Sequence, residues 1–429
     1  MIPSRSLLAL ALGVAPVLAA EPAPAPAETP TAPAAAAPAA AGPTLGEKTR
    51  QVLDTMEFHG FMSQGYMVTK NNNYLAGETN DGGSWDMREV GVNASVQVTD
   101  KLRVGAQIFG RKLADLESVD VDWAYVDYRA SDAIGFRAGL VKVPRGLYNE
   151  LQDLDLATST VILPQAMYDL RLRDFQVAAQ GVQVYGNLRA GGAGNFDYSG
   201  YFGDRHMETD GSIAKYFREG LASFGEYEID QVDLDWTAGG QVMWNTPLDG
   251  LKVGVSYVHY GELSTDGTIP APGFLPLPPG TTLATTGSLK DLFSWVYSAE
   301  YLAGDWRFAA EYTRWSSDGE VDIQLLGQTP VNYQPEGMYG QIAWQATDWM
   351  ELAGTASLWY GNQDNHAKSN PSSYQHDYYL SAKFNITDNW IFKMEGHYIE
   401  GTALSFASDN PDGVKDQDVA FLAKTTISF

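Results

Sequence analysis

From residue 57 to residue 429 the chain returns again and again to one pattern, apolar side chains at every second position with polar or small ones between them. Val90, Val92, Ala94, Val96 and Val98 alternate with Glu89, Gly91, Asn93, Ser95 and Gln97. Leu102, Val104, Ala106 and Ile108 alternate with Arg103, Gly105, Gln107 and Arg111, and Trp390, Phe392, Met394 and Tyr398 with Lys393, Glu395 and His397. A repeat of two is that of a β-strand with one apolar face. Residues 57–69 and 175–187 alternate poorly, and they predict strands without an assigned face.

The connections between these stretches fall into two kinds. Residues 99–101, 131–133, 188–190, 245–250, 303–305, 347–349 and 387–389 are short and rich in Asp, Asn and Gly, the chemistry of tight turns. Between them lie longer polar connections at 70–84, 112–117, 143–174, 204–229, 261–288, 316–335, 361–373 and 401–415. Seven turns alternating with eight loops predict an all-β fold, a transmembrane antiparallel β-barrel of about 16 strands with both ends at the short-turn rim. The length agrees, because it leaves roughly 23 residues for each strand and connection, enough for ~9 to 11 spanning residues.

The alternation also assigns the faces. Turning the strands over would put Arg103, Arg137, Arg307 and Lys393 against lipid, at up to ~2 to 4 kcal/mol each near the midplane. The polar set therefore points inward. Trp236, Trp244, Trp295, Trp306, Trp344, Trp390 and Tyr128 fall near strand ends or on outward faces, as interfacial girdles require. The last stretch places Val419, Phe421, Ala423, Thr425, Ile427 and Phe429 on one face and Asp418, Lys424 and Thr426 on the other. It is expected to close the barrel by pairing with 57–69, leaving no open edge.

Upstream of the barrel, residues 1–20 carry one cation, Arg5, then an apolar run and the pair Ala19 and Ala20, the pattern of an export signal. Residues 21–43 are almost wholly Ala, Pro and Thr and are expected to be an extended periplasmic spacer. Leu45, Val52 and Met56 lie on one side of a short helix at 45–56, read as a frayed leader rather than a coiled-coil stub. The organisation is thus signal 1–20, leader 21–56 and barrel 57–429, with the outer membrane as destination.

Composition adds exclusions. With no cysteine there is no disulfide and no thiol-ligated metal. A formal charge of −25 argues against nucleic-acid binding, which needs a basic surface. No Gly-rich phosphate loop, zinc-protease motif or EF-hand spacing occurs, so no cofactor or metal is expected. None of His59, His206, His259, His366, His376 and His397 stands in a motif with a nucleophile, so no enzyme is expected.

The third long connection differs from the others in being partly apolar, as a loop that packs or closes on something should be. It carries Arg145, Glu150, Asp153, Asp155, Asp169, Arg171 and Arg173, and Lys142 immediately precedes it. Folded inward, it would set these charges against the wall residues Arg103, Arg137, Arg307, Glu311, Glu351, Lys383 and Lys393, as a pore constriction with a transverse field.

Lys142-Val143-Pro144-Arg145-Gly146-Leu147-Tyr148-Asn149-Glu150, followed by Leu163-Pro164-Gln165-Ala166-Met167-Tyr168, resembles the constriction region of proteobacterial trimeric porins. The subgroup it is most similar to is the DcaP-like porins, which carry an N-terminal periplasmic extension. That resemblance implies a homotrimer in outer-membrane lipid and lipopolysaccharide, and passive diffusion of small hydrophilic solutes, anionic or dicarboxylic among them. An anion preference would rest on Arg103, Arg137, Arg145, Arg171, Arg173 and Arg307. The rival readings are an outer-membrane barrel enzyme and an adhesin without an open channel.

Overall fold

The computed structural model describes residues 55–429 apart from Ala76 and Asp115. The export signal, the spacer and nearly all of the expected short helix lie outside the described residues. Met56, the end of that helix as read from sequence, is the first residue of a strand.

The chain forms β1 (Met56–Thr69), β2 (Met87–Thr99), β3 (Leu102–Leu113), β4 (Leu116–Ser131), β5 (Ile134–Lys142), β6 (Ala178–Arg189), β7 (Asn195–Asp204), β8 (Glu228–Leu234) and β9 (Thr237–Asn245). It continues with β10 (Leu251–Pro270), β11 (Thr282–Ala303), β12 (Trp306–Ile323), β13 (Gly327–Tyr333), β14 (Glu336–Thr347), β15 (Met350–Tyr360), β16 (Tyr374–Thr387), β17 (Trp390–Gly401) and β18 (Gln417–Ser428). All pair antiparallel in one sheet of 18 strands. Two pairs of these segments are single staves with a break. β8 and β9 both pair with β10, and β13 and β14 both pair with β12 around Pro335, which lacks the N–H a ladder needs. The wall therefore has sixteen staves.

Closure is made by the last strand. β18 pairs with β1 from Phe61↔Ser428 to Thr69↔Ala420, and Gly60 and Phe429 exchange backbone hydrogen bonds of 2.9 Å. The face assignment follows the alternation: Val90, Ile108 and Leu380 stand outward at 47%, 57% and 74% exposure, whereas Lys393 and Lys424 are buried inward. Trp306 and Trp344 stack on the outer wall with centroids 5.7 Å apart.

The two illegible strands have a common cause. In β1 the outward set includes Phe58 and Met62, but Phe61 and Met67 point inward and are buried. Phe61 packs 6.2 Å from Phe109, and Met67 belongs to an inner apolar cluster with Tyr74, Val161 and Leu422. β6 starts at Ala178 rather than 175, because Phe175 belongs to the helical turn Arg173–Gln176; Val182 faces out and Gln183 in. Both strands carry apolar residues inward because chain folded inside the barrel covers them.

Three long connections read from sequence are corrected. Residues 112–117 form a tight hairpin, since the ladder runs through to Leu113↔Leu116. Residues 261–288 and 316–335 are mostly strand: β10 and β11 pair out to Pro270↔Thr282, and β12 and β13 pair from Ile323↔Gly327 to Ser317↔Tyr333. The turn expected at 188–190 is displaced to 190–194. The extended hairpins keep a ladder because their inward positions Tyr260, Leu263, Leu283, Leu292, Trp315 and Ile323 join an apolar core with Phe175, Ile213 and Leu221. Ile213 and Leu221 come from the helix Ser212–Leu221, which also reaches the connection at 402–416, where Glu219 accepts from the N–H groups of Ala407 and Ser408.

Candidate functional site

Residues 143–177 leave β5 and return to β6 through a clamped base. Val143 N donates to Val177 O at 2.9 Å, and Asn149 Nδ2 donates to Val143 O and Gln176 O, each at 2.9 Å. Pro144, Pro164 and Gly146, whose φ is 61°, interrupt regular structure. What remains are short 3-10 turns at Asn149–Leu151, Asp155–Ala157 and Leu170–Leu172, the last capped by Asp169 accepting from Arg171 N. So irregular a backbone must find its partners elsewhere, and it finds them on inward faces of the wall.

One attachment is ionic. Arg173 Nη2 lies 2.6 Å from Asp122 Oδ1 and also bonds Asp153, while Lys142 Nζ lies 2.7 Å from Asp153 and 3.0 Å from Asp122. Gln107 Nε2 donates to both acids at 3.1 Å, and Arg111 holds Asp174 at 2.5 Å. Burial alone would push the Asp153 carboxyl up, but Arg173 and Lys142 hold it well below the usual carboxylate range.

On the wall near the closure, Asp155 accepts from Thr426 Oγ1 at 2.6 Å and pairs with Lys424 at 2.9 Å and Lys393 at 3.7 Å. Lys393 Nζ also donates to Thr158 Oγ1 and Thr160 O, each at 2.8 Å, and Glu395 accepts from Val161 N at 2.8 Å. Lys383 donates to Leu156 O, and Arg307 donates to Ala157 O at 3.2 Å and to Ser159. The Asp155 carboxyl is pushed up by burial, yet Lys424 and Lys393 bring it below its ordinary value.

A third attachment centres on Glu311. It accepts from Leu147 N at 2.8 Å, from Tyr339 at 2.9 Å, and from Ser298 and Tyr168 at 2.5 Å each. Close by, Gly146 N donates to Ser256 at 3.0 Å, and Gly337 has no room for a side chain, since a Cβ there would lie 2.0 Å from Ala166 O. The segment is thereby fastened to β3, β4, β10, β12, β16, β17 and β18, and packs on β11 and β14 through Val296 and Tyr339.

The geometry divides the candidates read from sequence. Lys142, Asp153 and Arg173 are brought together, as are Asp155 and Lys393, while Arg171 forms its own pair with Asp169 at 2.9 Å. Glu311 and Lys383 are bonded to the segment, and Arg145 is buried with no carboxylate paired to it among the described residues. Less covered are Arg103, half exposed beside Glu57, and Arg137, bonded to Asp127 at 3.1 Å with its guanidinium 4.3 Å from the Tyr185 ring. Arg307 and Glu351 face each other at 3.6 Å, and Glu150 is exposed. The expected array of opposed free charges is therefore mostly a set of buried, satisfied pairs.

Sequence reasoning missed Asp122, Gln107 and Arg111 as partners. Asp122 is the extra residue of a bulge, where Gln107↔Trp123 is followed by Ile108↔Val121, so strict alternation does not place it. His397, read from sequence only as one of the inward polar set beside Lys393 and Glu395, lies between Asp377 at 2.9 Å and Glu395 at 3.1 Å, and so steadies a carboxylate that holds the segment.

No family model matches the chain, and no curated protein matches it by sequence. Solved structures do. The outer-membrane expressed OmpT of Vibrio cholerae superposes with a TM-score of 0.52 at 12% identity, covering 87% of this chain and 97% of that one. An anion-selective porin from Comamonas acidovorans gives 0.50 at 12% identity over 87% and 99%. The outer membrane channel DcaP of Acinetobacter baumannii is matched over 87% and 97% at 11% identity with a TM-score of 0.48. The closed antiparallel wall of sixteen staves is thus the outer-membrane β-barrel fold that this chain shares with these solved structures.

Proposed function

We propose that this protein is an outer-membrane porin, a passive diffusion channel for small hydrophilic solutes and ions in which residues 143–177 narrow the lumen. The observation that carries the reading is the fastening of that segment to inward side chains on nearly opposite sides of the wall, from Asp122 on β4 to Glu311 on β12. A loop held at both walls cannot swing clear without breaking buried ion pairs, so it sets a fixed aperture. Residues 1–20 export the chain, the outward aromatic bands seat it in outer-membrane lipid and lipopolysaccharide, and the working unit is a homotrimer.

The buried pairs support a division between charges that act on permeating solutes and charges that hold the segment. Arg171 and Arg173 are cancelled by Asp169 and by Asp122 with Asp153, so their field in the lumen is small. Arg103, Arg137, Arg307, Glu150 and Glu351 keep contact with water and tune ion preference, including any passage of anionic or dicarboxylic solutes. Purified protein in a planar bilayer is expected to give stepwise conductance, grouped in threes for the trimer. Folded protein that inserts and stays silent contradicts the channel.

A further inference from the structure

A cavity of about 630 Å3 lies between residues 143–177, the helix Ser212–Leu221, the inner faces of the extended hairpins and the connection at 402–416. It is within the range of small-molecule sites. Its walls are mainly apolar and aromatic, with Phe175, Ile213, Leu292, Trp315, Tyr333 and Phe406 among them. One cation stands at this wall.

Arg145 is 1% exposed and forms no ion pair among the described residues. Its Nη1 donates to Met167 O at 3.0 Å and Gln176 Oε1 at 3.3 Å, but Nη2 meets only the Met167 sulfur at 4.0 Å and Nε has no partner. The guanidinium carbon sits 5.3 Å from the Trp315 ring centre and 5.9 Å from that of Tyr168. The other buried guanidiniums nearby behave differently: Arg111, Arg171 and Arg173 each hold a carboxylate within 2.9 Å. A buried cation left without a counter-charge is costly, and a ligand that supplies one gains what the fold forgoes.

The acids at this cavity are already committed. Asp169 is held by Arg171 and Tyr216, Glu219 accepts from two backbone N–H groups, and Glu320 pairs with Lys290 at 2.7 Å. One buried guanidinium edge therefore keeps free donors at the cavity wall beneath Met167, and no second free cation lines that wall among the described residues. Met167, the thioether over that edge, is the kind of flexible side chain that yields to a ligand.

We propose that this cavity binds a monocarboxylate with a flat apolar body. The carboxylate takes the Nε–Nη2 edge of Arg145, the geometry a guanidinium offers to two oxygens, and the body packs against Phe175, Trp315 and Tyr333. The inference deepens the channel reading by naming a solute class, and rests on it only for passage onward. A dicarboxylate is disfavoured, because its second charge would meet apolar walls or lie near Asp169 and Glu219.

The test is calorimetric titration of the folded full chain in detergent micelles with benzoate, acetate, benzyl alcohol and phthalate. Benzoate is expected to bind at least tenfold more tightly than each of the other three. Folded protein that does not bind benzoate overturns the site, as does equal affinity for benzoate and benzyl alcohol, or for benzoate and phthalate. Arg145→Gln should lose benzoate affinity at least tenfold while keeping that for benzyl alcohol. If that variant does not fold, Ile213→Trp, which fills the cavity from the helix side, should lose benzoate binding, and retained affinity overturns the proposal. Micelle binding needs no conduction, so conducting protein without benzoate binding fails this site alone, and silent protein that binds benzoate fails the channel alone.

Discussion

Asp155→Ala is the change that most directly tests how the third connection is held. The carboxylate it removes is buried, accepts from Thr426 at 2.6 Å and faces Lys424 at 2.9 Å and Lys393 at 3.7 Å. Breaking a buried ion pair from one side costs about 3–5 kcal/mol. Lys424 retains Glu89 and Lys393 retains Thr158 and Thr160, so the lower end, about 3 kcal/mol, applies. The barrel ladder does not depend on this contact, so the loss falls on docking of the segment. At about 1.4 kcal/mol per factor of ten, the ratio of detached to docked segment rises roughly 100-fold. Limited proteolysis of the folded barrel, with cleavage sites between residues 143 and 177 identified by mass spectrometry, reads this ratio, and single-channel records should gain open-level noise. Lys393→Met combined with Asp155→Ala should recover part of the loss, since no buried charge is then stranded. A variant that folds and is cleaved at the wild-type rate would refute the clamp.

The same carboxylate sets a pH window. Its pKa is lowered in the folded protein, so its contribution is fully present above the ordinary carboxylate value of about 3.9 and is lost as pH falls through the lower folded value; protease resistance of the segment should be flat from neutrality down to about pH 4 and decline below it. Leu380→Arg, at an outward position exposed to 74%, should cost up to ~2–4 kcal/mol of folding into lipid if near the midplane, read as a reduced folded fraction by heat-modifiable gel mobility; an unchanged fraction would reverse the face assignment of β16. Asp418→Ala removes a buried carboxylate that accepts from the backbone N–H groups of Lys70, Asn71 and Asn72, and at about 1.5–3 kcal/mol for a hydrogen bond to a charged group it should lower the thermal unfolding midpoint of the barrel in detergent, whereas an unchanged midpoint would mean the β1 end is held otherwise.

The wall was legible where one face meets lipid and the other water. β3 and β18 show this, with Val104 and Phe421 outward against Arg103 and Lys424 inward. The pattern failed where both faces meet something apolar. In β1, Phe61 and Met67 are buried inward beneath Phe109 and Tyr74, and the inner faces of the extended hairpins pack on Phe175 and Ile213, so polar-looking stretches rich in Ser, Thr and Gly carry on as ladder. The identity of the charged residues in 143–177 was readable, but their partners were not. Asp155 meets Lys424 only because closure brings β18 beside the segment, and Asp122 is turned inward by a bulge. In sequence Arg145 is indistinguishable from the other lumen cations, and only the fold sets it apart as one with no acid partner among the described residues.

The central claim is that solutes cross this barrel past an anchored segment. Solute-swelling rates of liposomes carrying folded protein test it most directly, with sugars of increasing size compared on one preparation. The account predicts fast uptake of a pentose, falling steeply for a trisaccharide, and a shallower size dependence in Asp155→Ala. Liposomes with verified folded, inserted protein that swell no faster than empty ones for any solute would contradict it.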